Sequence, residues 1–453
     1  MAQQFSDHVR AHLTLGLPLI GSHVAQMAIG VTDTVMLGWY NVEALAALVL
    51  ANTAYFALFL FGSGFAFAVM PLVSAAAEQD DETRVRRVTR MGLWSSAGFA
   101  LALLPVLWFS GPILVALGQE PMLAAGAQEY LRIMGWGVIP ALAVMVLKSY
   151  LSALERTGVQ LLVVLGAALA NVAVNYALIF GNWGFAEMGI RGAAVASLAV
   201  QVISFGALVV YSVRQFPTHK LFQRVWRPDW EALREVAVMG FHIGITVLAE
   251  VSLFTLSSIL VGLLGTVALA AHGIALQLAG LSFMVPLGLS NAATVRAGRA
   301  FGRGDTDSLR AGARAAVALG VGWAGLAALL FAILPEFLVS LYISPDEPLR
   351  DEIVALGRVL LLMAALFQLA DATQVNAMAL LRGMRDTRAP MWIAASTYWL
   401  IGATSAWVFG ISLGYGAIGI WAGLVLGLTA AAVALTIRFW RRSADIGGAV
   451  EPT

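Results

Sequence analysis

Long apolar stretches separated by short polar breaks recur along this chain from residue 11 to residue 439. A helix that crosses a bilayer needs about 20 mostly apolar residues. A membrane barrel would instead show strands of about ten residues with alternating polarity. The pattern predicts twelve helices, over 11–39, 44–78, 88–117, 123–153, 160–181, 190–213, 232–263, 267–301, 309–342, 350–383, 389–412 and 416–439. The expected class is an all-α membrane protein, because helices satisfy every backbone polar group within the segment that enters lipid.

Composition agrees with that reading. Of 453 residues, 60% are hydrophobic and 12% charged, against about 25% charged in soluble domains. The absence of cysteine excludes disulfides and thiolate metal sites. A net charge of +1 supplies no argument for a nucleic-acid partner. Residues 1–10 are polar and lack the basic-then-apolar layout of a cleaved signal, so the first apolar stretch is expected to be a retained helix.

The positions of the charges are more informative. One set of breaks is basic: Arg84, Arg86, Arg87 and Arg90; Lys148 and Arg156; Arg214, Lys220, Arg224 and Arg227; Arg296, Arg299, Arg303 and Arg310; Arg382, Arg385 and Arg388; Arg438, Arg441 and Arg442. The alternate breaks, 41–43, 118–120, 265–266 and 345–352, carry almost no Lys or Arg. The positive-inside rule assigns the basic set to the cytoplasm. Both termini are then expected there, which requires an even number of helices. The longest break, after the sixth helix, reads as a linker over 214–231 between an N-lobe (1–213) and a C-lobe (232–442), with a cytoplasmic tail at 443–453.

The two halves resemble each other. At an offset of 224, Gly16 meets Gly240, Ala25 meets Ala249, Gly38 meets Gly262, and Ala44-Leu45-Ala46-Ala47 meets Ala268-Leu269-Ala270-Ala271. Gly64 meets Gly288, Asp81 meets Asp305, and Arg86 and Arg90 meet Arg310 and Arg314. Six helices per copy make the repeat parallel. Transporters built on such repeats place substrate near the bilayer midplane and alternate access by rocking.

Three carboxylates lie inside apolar runs: Asp33, Glu250 and Asp371. Each costs roughly 2.5–3.5 kcal/mol at a bilayer centre on insertion scales. No Lys or Arg lies within one helical turn of any of them. They are expected either to be satisfied by hydrogen bonds from neighbouring helices or to bind a proton, Na⁺ or a cationic substrate. Competition for one negative charge is sufficient for exchange. One charge moved through ~100 mV supplies about 2.3 kcal/mol, close to a fiftyfold gradient at about 1.4 kcal/mol per tenfold. The carboxylates are not duplicated, since Asp33 aligns with Ser257 and Glu250 with Gln26.

Other candidates carry less information. Asn171 and Asn175, one turn apart, can offer amide oxygens near Asp33 or tie helices together. Gln26, Met27, Met36, Tyr40, Phe367 and Gln374 are candidates for a substrate cavity or for ordinary packing. His23, His242 and His272 have no metal-ligand spacing, and packing is the expected role. Pro18 removes one hydrogen bond from the first helix.

These motifs resemble the MATE (multidrug and toxic compound extrusion) family in its NorM-like branch. The likeness rests on Leu17-Pro18, Gln26 and Val31-Thr32-Asp33-Thr34-Val35-Met36-Leu37-Gly38; on Gly240 through Glu250 with Ala268-Leu269-Ala270-Ala271-His272; and on Phe367-Gln368-x-x-Asp371-x-x-Gln374 followed by Leu381-Arg382-Gly383-Met384-Arg385-Asp386-Thr387. It covers essentially the whole chain. It implies twelve helices in two six-helix bundles arranged as a V, and antiport of cationic or hydrophobic compounds against Na⁺ or H⁺ in the inner membrane. It also implies a C-lobe cation site at Glu250 and Asp371 that can take Na⁺, and an N-lobe site at Asp33, Asn171 and Asn175. No cofactor is expected beyond the coupling ion. The expected partners are organic cations, drugs and the bilayer, with a monomer as the working unit. Two positions depart from relatives: His242 stands where Pro is common, and Phe367 stands where some sodium-coupled relatives have Tyr. The second departure removes a hydroxyl and leaves Na⁺ or a proton open at the C-lobe site. A lipid-linked precursor flippase of the same superfamily is the competing reading, and it requires cations in the cavity. No nucleophile–base pair or metal motif suggests an enzyme.

Overall fold

The computed structural model describes residues 5–448, with side chains through residue 445. Every regular element among the described residues is helical. The long helices are α1 (Phe5–Tyr40), α2 (Val42–Glu78), α3 (Glu82–Trp108), α4 (Pro121–Ala153), α5 (Thr157–Phe180), α6 (Ile190–Gln215), α7 (Trp230–Gly262), α8 (Thr266–Arg303), α9 (Thr306–Ile333), α10 (Arg350–Gly383), α11 (388–412) and α12 (Gly416–Gly448). Eleven of them are long and apolar enough to cross a bilayer. The twelfth, α11, is continuous helical backbone whose regular turns are interrupted by wider π turns at Thr397–Ala403 and Val408–Ser412. The expected spans 88–117 and 309–342 each divide, because Phe109 and Leu334 leave helical geometry before the short helices Ser110–Ala116 and Pro335–Ser340. Leu334 precedes a proline, which disfavours the α conformation. The last helix continues past residue 439 to Gly448, so 443–448 of the expected tail is helical. Residues 449–453 of that tail, and residues 1–4, lie outside the described residues.

The chain forms two compact units. One comprises Gly21–Gly244 and the other the residues up to Ile20 together with Ile245 onward. The divisions at 20/21 and 244/245 are separated by 244 − 20 = 224 residues, the offset at which the sequence repeats. Each unit therefore takes the start of the first helix of the other repeat. Within Gly21–Gly244, a Cβ at Gly64 would lie 2.8 Å from the Cα of Gly244, and one at Gly240 would lie 2.7 Å from the Cα of Phe65. Within the other unit, a Cβ at Gly288 would lie 2.9 Å from the Cα of Ile20. Gly64 and Gly288 are equivalent in the repeat. Each lets two helix backbones approach closely, the membrane packing mode that favours small residues.

Local capping repeats as well. Asp81 accepts a hydrogen bond from the backbone N–H of Arg84 at the start of α3, and Asp305 accepts one from Ser308 at the start of α9. The linker between the repeats is strapped onto α3. Arg90 donates to the carbonyls of Lys220, Leu221 and Gln223, and Trp94 Nε1 donates to that of Val225 at 2.8 Å. Arg87 pairs with Asp229 and with Glu231, and Arg84 with Glu235 at 2.9 Å. The Arg87 guanidinium holds the Asp229 carboxyl below the usual carboxylate range.

Candidate functional site

The first half-site lies in the Gly21–Gly244 unit. α1 carries Asp33 with 6% of its surface exposed. The flanking Thr32 and Thr34 hydroxyls bond back to the carbonyls of Ala28 and Gly30, both at 2.9 Å, so they leave the carboxylate free for other helices. α5 brings Asn171 and Asn175, one turn apart, whose amide nitrogens both donate to Asp33 Oδ1, at 3.0 and 2.5 Å. Asn175 also donates to Asn171 Oδ1 at 3.2 Å. The two amides thus present nitrogen where the sequence suggested oxygen, because an ionised carboxylate only accepts. The third donor is Ser197 on α6, whose hydroxyl reaches Asp33 Oδ2 at 3.0 Å. Asn175 Oδ1 is buried without a partner, which leaves an acceptor beside the carboxylate.

The second half-site lies in the other unit. Glu250 on α7 and Asp371 on α10 are close enough to act on each other's charge. Asp371 is 4% exposed. Two like charges in one buried site repel strongly unless a proton or cation lies between them. Gln374, one turn beyond Asp371, donates to the Tyr398 hydroxyl at 2.5 Å. Asp371 Oδ1 and Gln374 Oε1 are both buried without a hydrogen-bond partner. A hard cation binds oxygen donors, and carboxylate, amide and phenol oxygens are the types gathered here. Tyr398 falls in the π turn of α11; such wide turns concentrate at functional sites.

The remaining candidates occupy varied places. Phe367 is core: its ring packs edge-on against Phe254 and Trp421, at 5.8 Å in each case. The hydroxyl that Phe367 lacks is instead offered by Tyr398. Met36 is buried in the core of its unit, whereas Met27 is half-buried. Tyr40, at the end of α1, stacks edge-on against Phe180 at 6.1 Å. Gln26 lines a small cavity with Lys148, Gln160 and Gln201, and Gln160 Oε1 is buried there without a partner. His272 is held between the Trp421 indole at 3.0 Å and Ser258 at 3.1 Å, which is a packing role.

Sequence reasoning missed four residues. Ser197 and Tyr398 carry no signal of their own in apolar helices. Lys148 and Arg382, counted among the basic breaks although the expected spans 123–153 and 350–383 include them, lie in α4 and α10. Arg382 lies near enough to Glu250 to offset part of its charge.

Comparison with known proteins places the chain in a family and a fold. The MatE family model matches twice, over residues 18–177 and 243–408, once in each repeat. A protein of Rhizobium meliloti named "Probable multidrug resistance protein NorM" is 47% identical over 436 residues, covering 96% of this chain and 93% of the relative. A protein of the same name from Agrobacterium fabrum is 46% identical over 435 residues, covering 96% of this chain and 94% of the relative. Among solved structures, a MATE protein in complex with MaL6 superposes with a TM-score of 0.88 at 17% identity over 97% of both chains. A eukaryotic MATE transporter superposes with 0.84 at 17% identity over 98% of both. A family pattern matched once per repeat, in a chain so similar to curated relatives along nearly its whole length, identifies it: this protein belongs to the MatE family.

Proposed function

We propose that this protein is a multidrug efflux antiporter that exports cationic or hydrophobic organic compounds in exchange for Na⁺ or H⁺. The observation that carries the reading is the pair of unlike half-sites, one in each compact unit. Asp33 is a single carboxylate caged by three donors. Glu250 and Asp371 form a carboxylate pair with unpartnered oxygens beside it. The first suits a site that offers one carboxylate to a cation. The second suits the ion whose binding relieves repulsion. The names of the relatives support drugs as the exported class.

The proposed setting is the inner membrane, with both termini cytoplasmic by the distribution of Lys and Arg. A single chain carries both half-sites, so the working unit is taken as a monomer. No observation favours the flippase reading over this one. The deciding experiment is efflux of a fluorescent cation from everted vesicles, driven by a Na⁺ gradient alone and by a pH gradient alone at fixed potential. One gradient is expected to sustain transport, and efflux indifferent to both would sink the antiport reading.

A further inference from the structure

The start of α3 and the linker before α7 enclose a cleft of about 500 Å³ lined by Arg86, Arg87, Arg90, Arg227, Asp229 and Trp230. It lies within the Gly21–Gly244 unit and shares no residue with either half-site. Its charges are not balanced internally. Arg87 is taken by Asp229 and Glu231, and Arg90 by three linker carbonyls. Among the described residues, Arg86 and Arg227 pair with no carboxylate. Two guanidinium groups that form no ion pair among the described residues thus line one open cleft, in which Asp229 is already engaged by Arg87. Each is a planar donor fork that matches the oxygens of a phosphate.

The surroundings favour one source of phosphate. Trp230 lines the cleft with 71% of its surface exposed, and Trp226, next to Arg227 in the chain, is 73% exposed. Large indoles left outside the fold beside basic residues are characteristic of the membrane–water interface. The Arg-rich breaks that include this one mark the cytoplasmic side, where the leaflet is anionic and juxtamembrane arginines bind lipid headgroups. A soluble phosphate would gain nothing from the exposed indoles, whereas a phospholipid places its headgroup in the cleft and its glycerol and upper acyl chain beside them.

We infer that this cleft is a binding site for the phosphate of an anionic phospholipid, held by Arg86 and Arg227 and bordered by Trp230, with the exposed Trp226 next to Arg227 in the chain. Arg87 and Arg90 shape it by holding the linker in place. The site is independent of which ion drives transport.

The test is native mass spectrometry of the purified full chain in detergent, with phosphatidylglycerol or phosphatidylcholine added at equal concentration. Phosphatidylglycerol adducts should exceed phosphatidylcholine adducts. The double variant Arg86→Gln, Arg227→Gln should weaken phosphatidylglycerol binding about 25-fold, about fivefold for each arginine. The pair Arg86→Lys, Arg227→Lys keeps the charge and should retain most of the binding. Equal adducts of the two lipids on the unaltered protein would overturn the proposal without any variant, so a failure of the glutamine pair to fold does not shield it. Wild-type affinity in the folded glutamine pair would overturn it too. A parallel arm adds inorganic phosphate alone: if millimolar phosphate displaces phosphatidylglycerol and binds equally well by itself, the cleft is a soluble-phosphate site and the lipid assignment fails.

Discussion

Replacing Asp33 with Asn and with Ala separates the charge of the first half-site from its structure. In Asp33→Asn the amide oxygen can still accept from Asn171 and Asn175, and the amide nitrogen can donate to Ser197, whose hydroxyl accepts as well as donates. The cage persists and only the charge is lost. In Asp33→Ala, two or three buried donors lose their acceptor, since Asn171 and Asn175 are 0% exposed and Ser197 6%. Each orphaned donor costs about 1–3 kcal/mol, so the alanine variant should be about 2–9 kcal/mol less stable than the asparagine variant. Thermal unfolding in detergent should show a drop on the order of 10 °C between them, at about 2–4 °C per kcal/mol for a unit of this size. Transport should separate in the opposite sense. The asparagine variant should be as well folded as the unaltered protein yet lose one exchanged charge, worth about 2.3 kcal/mol per 100 mV. The cation gradient sustained in everted vesicles should then fall about fiftyfold. An asparagine variant that sustains the full gradient would refute the role of the charge. An alanine variant as stable as the asparagine one would refute the cage.

At the second half-site, Asp371→Asn should abolish coupled efflux while expression and unfolding temperature stay near those of the unaltered protein; full efflux in everted vesicles would remove Asp371 from the coupling site. Tyr398→Phe strips the acceptor from the Gln374 amide, and the coupling-ion concentration for half-maximal efflux should rise about fivefold or more, from the loss of about 1 kcal/mol. Gly64→Val forces a side chain into the backbone of α7, where overpacking costs about 1–3 kcal/mol or more; size-exclusion profiles should show a large loss of monodisperse protein. For the linker strap, the carboxyl of Asp229 sits below its unfolded value because of Arg87. Its contribution is therefore present above about pH 4 and is lost as pH falls through the depressed folded value. Both side chains are partly exposed, so the contribution is at most about 1 kcal/mol, and Asp229→Asn should flatten the acid limb of a stability–pH curve by no more than that.

How much of this was legible in the sequence depends on the physical range of each signal. Hydropathy locates helices because a bilayer imposes length and polarity together, and the expected span 350–383 coincides with α10. The same reasoning fails at α11, where the π turns at 397–403 change the hydrogen-bond register without changing how apolar the segment is. Tyr398 was illegible for that reason: extrapolating a regular helix across a widened turn gives the wrong face. Asp33 with Asn171 and Asn175 was legible, because polar groups one turn apart in an apolar helix need a partner. Ser197 was not, since a serine can satisfy itself on its own helix, as Ser74 does on Met70. Lys148 and Arg382 were legible as helical, within the expected spans 123–153 and 350–383, but counting them with the basic breaks gave them no role inside the helices. α4 and α10 have 33 and 34 residues, long enough to carry a cation within the helix and still cross the bilayer.

The repeat bears on mechanism through its exchange of helix starts. Pro18 removes a helical hydrogen bond two residues before the division at Ile20, whereas the equivalent position in α7 is His242, two residues before the division at Gly244. The two copies therefore share the places where α1 and α7 pass from one unit to the other but not the means of bending there. Below the division, Gly64 with Gly240, and Gly288 with Ile20, hold each helix start by backbone-close packing. Above it, α1 carries Asp33 and α7 carries Glu250. The division in α1 thus precedes the segment that carries Asp33 to Asn171, Asn175 and Ser197, and that in α7 precedes the segment that carries Glu250 to Asp371, so a change of bend at 18–21 or 242–245 acts on the helix that bears each half-site's carboxylate. Fusing His242→Pro to the otherwise unaltered chain gives α7 the break that α1 has. If bending at the division controls the second half-site, this variant should shift the coupling-ion concentration for half-maximal efflux while leaving the Asp33-dependent response unchanged. A variant whose ion dependence matches that of the unaltered protein, with α7 shown by hydrogen exchange to be loosened at 238–242, would separate bending from ion binding and refute the argument.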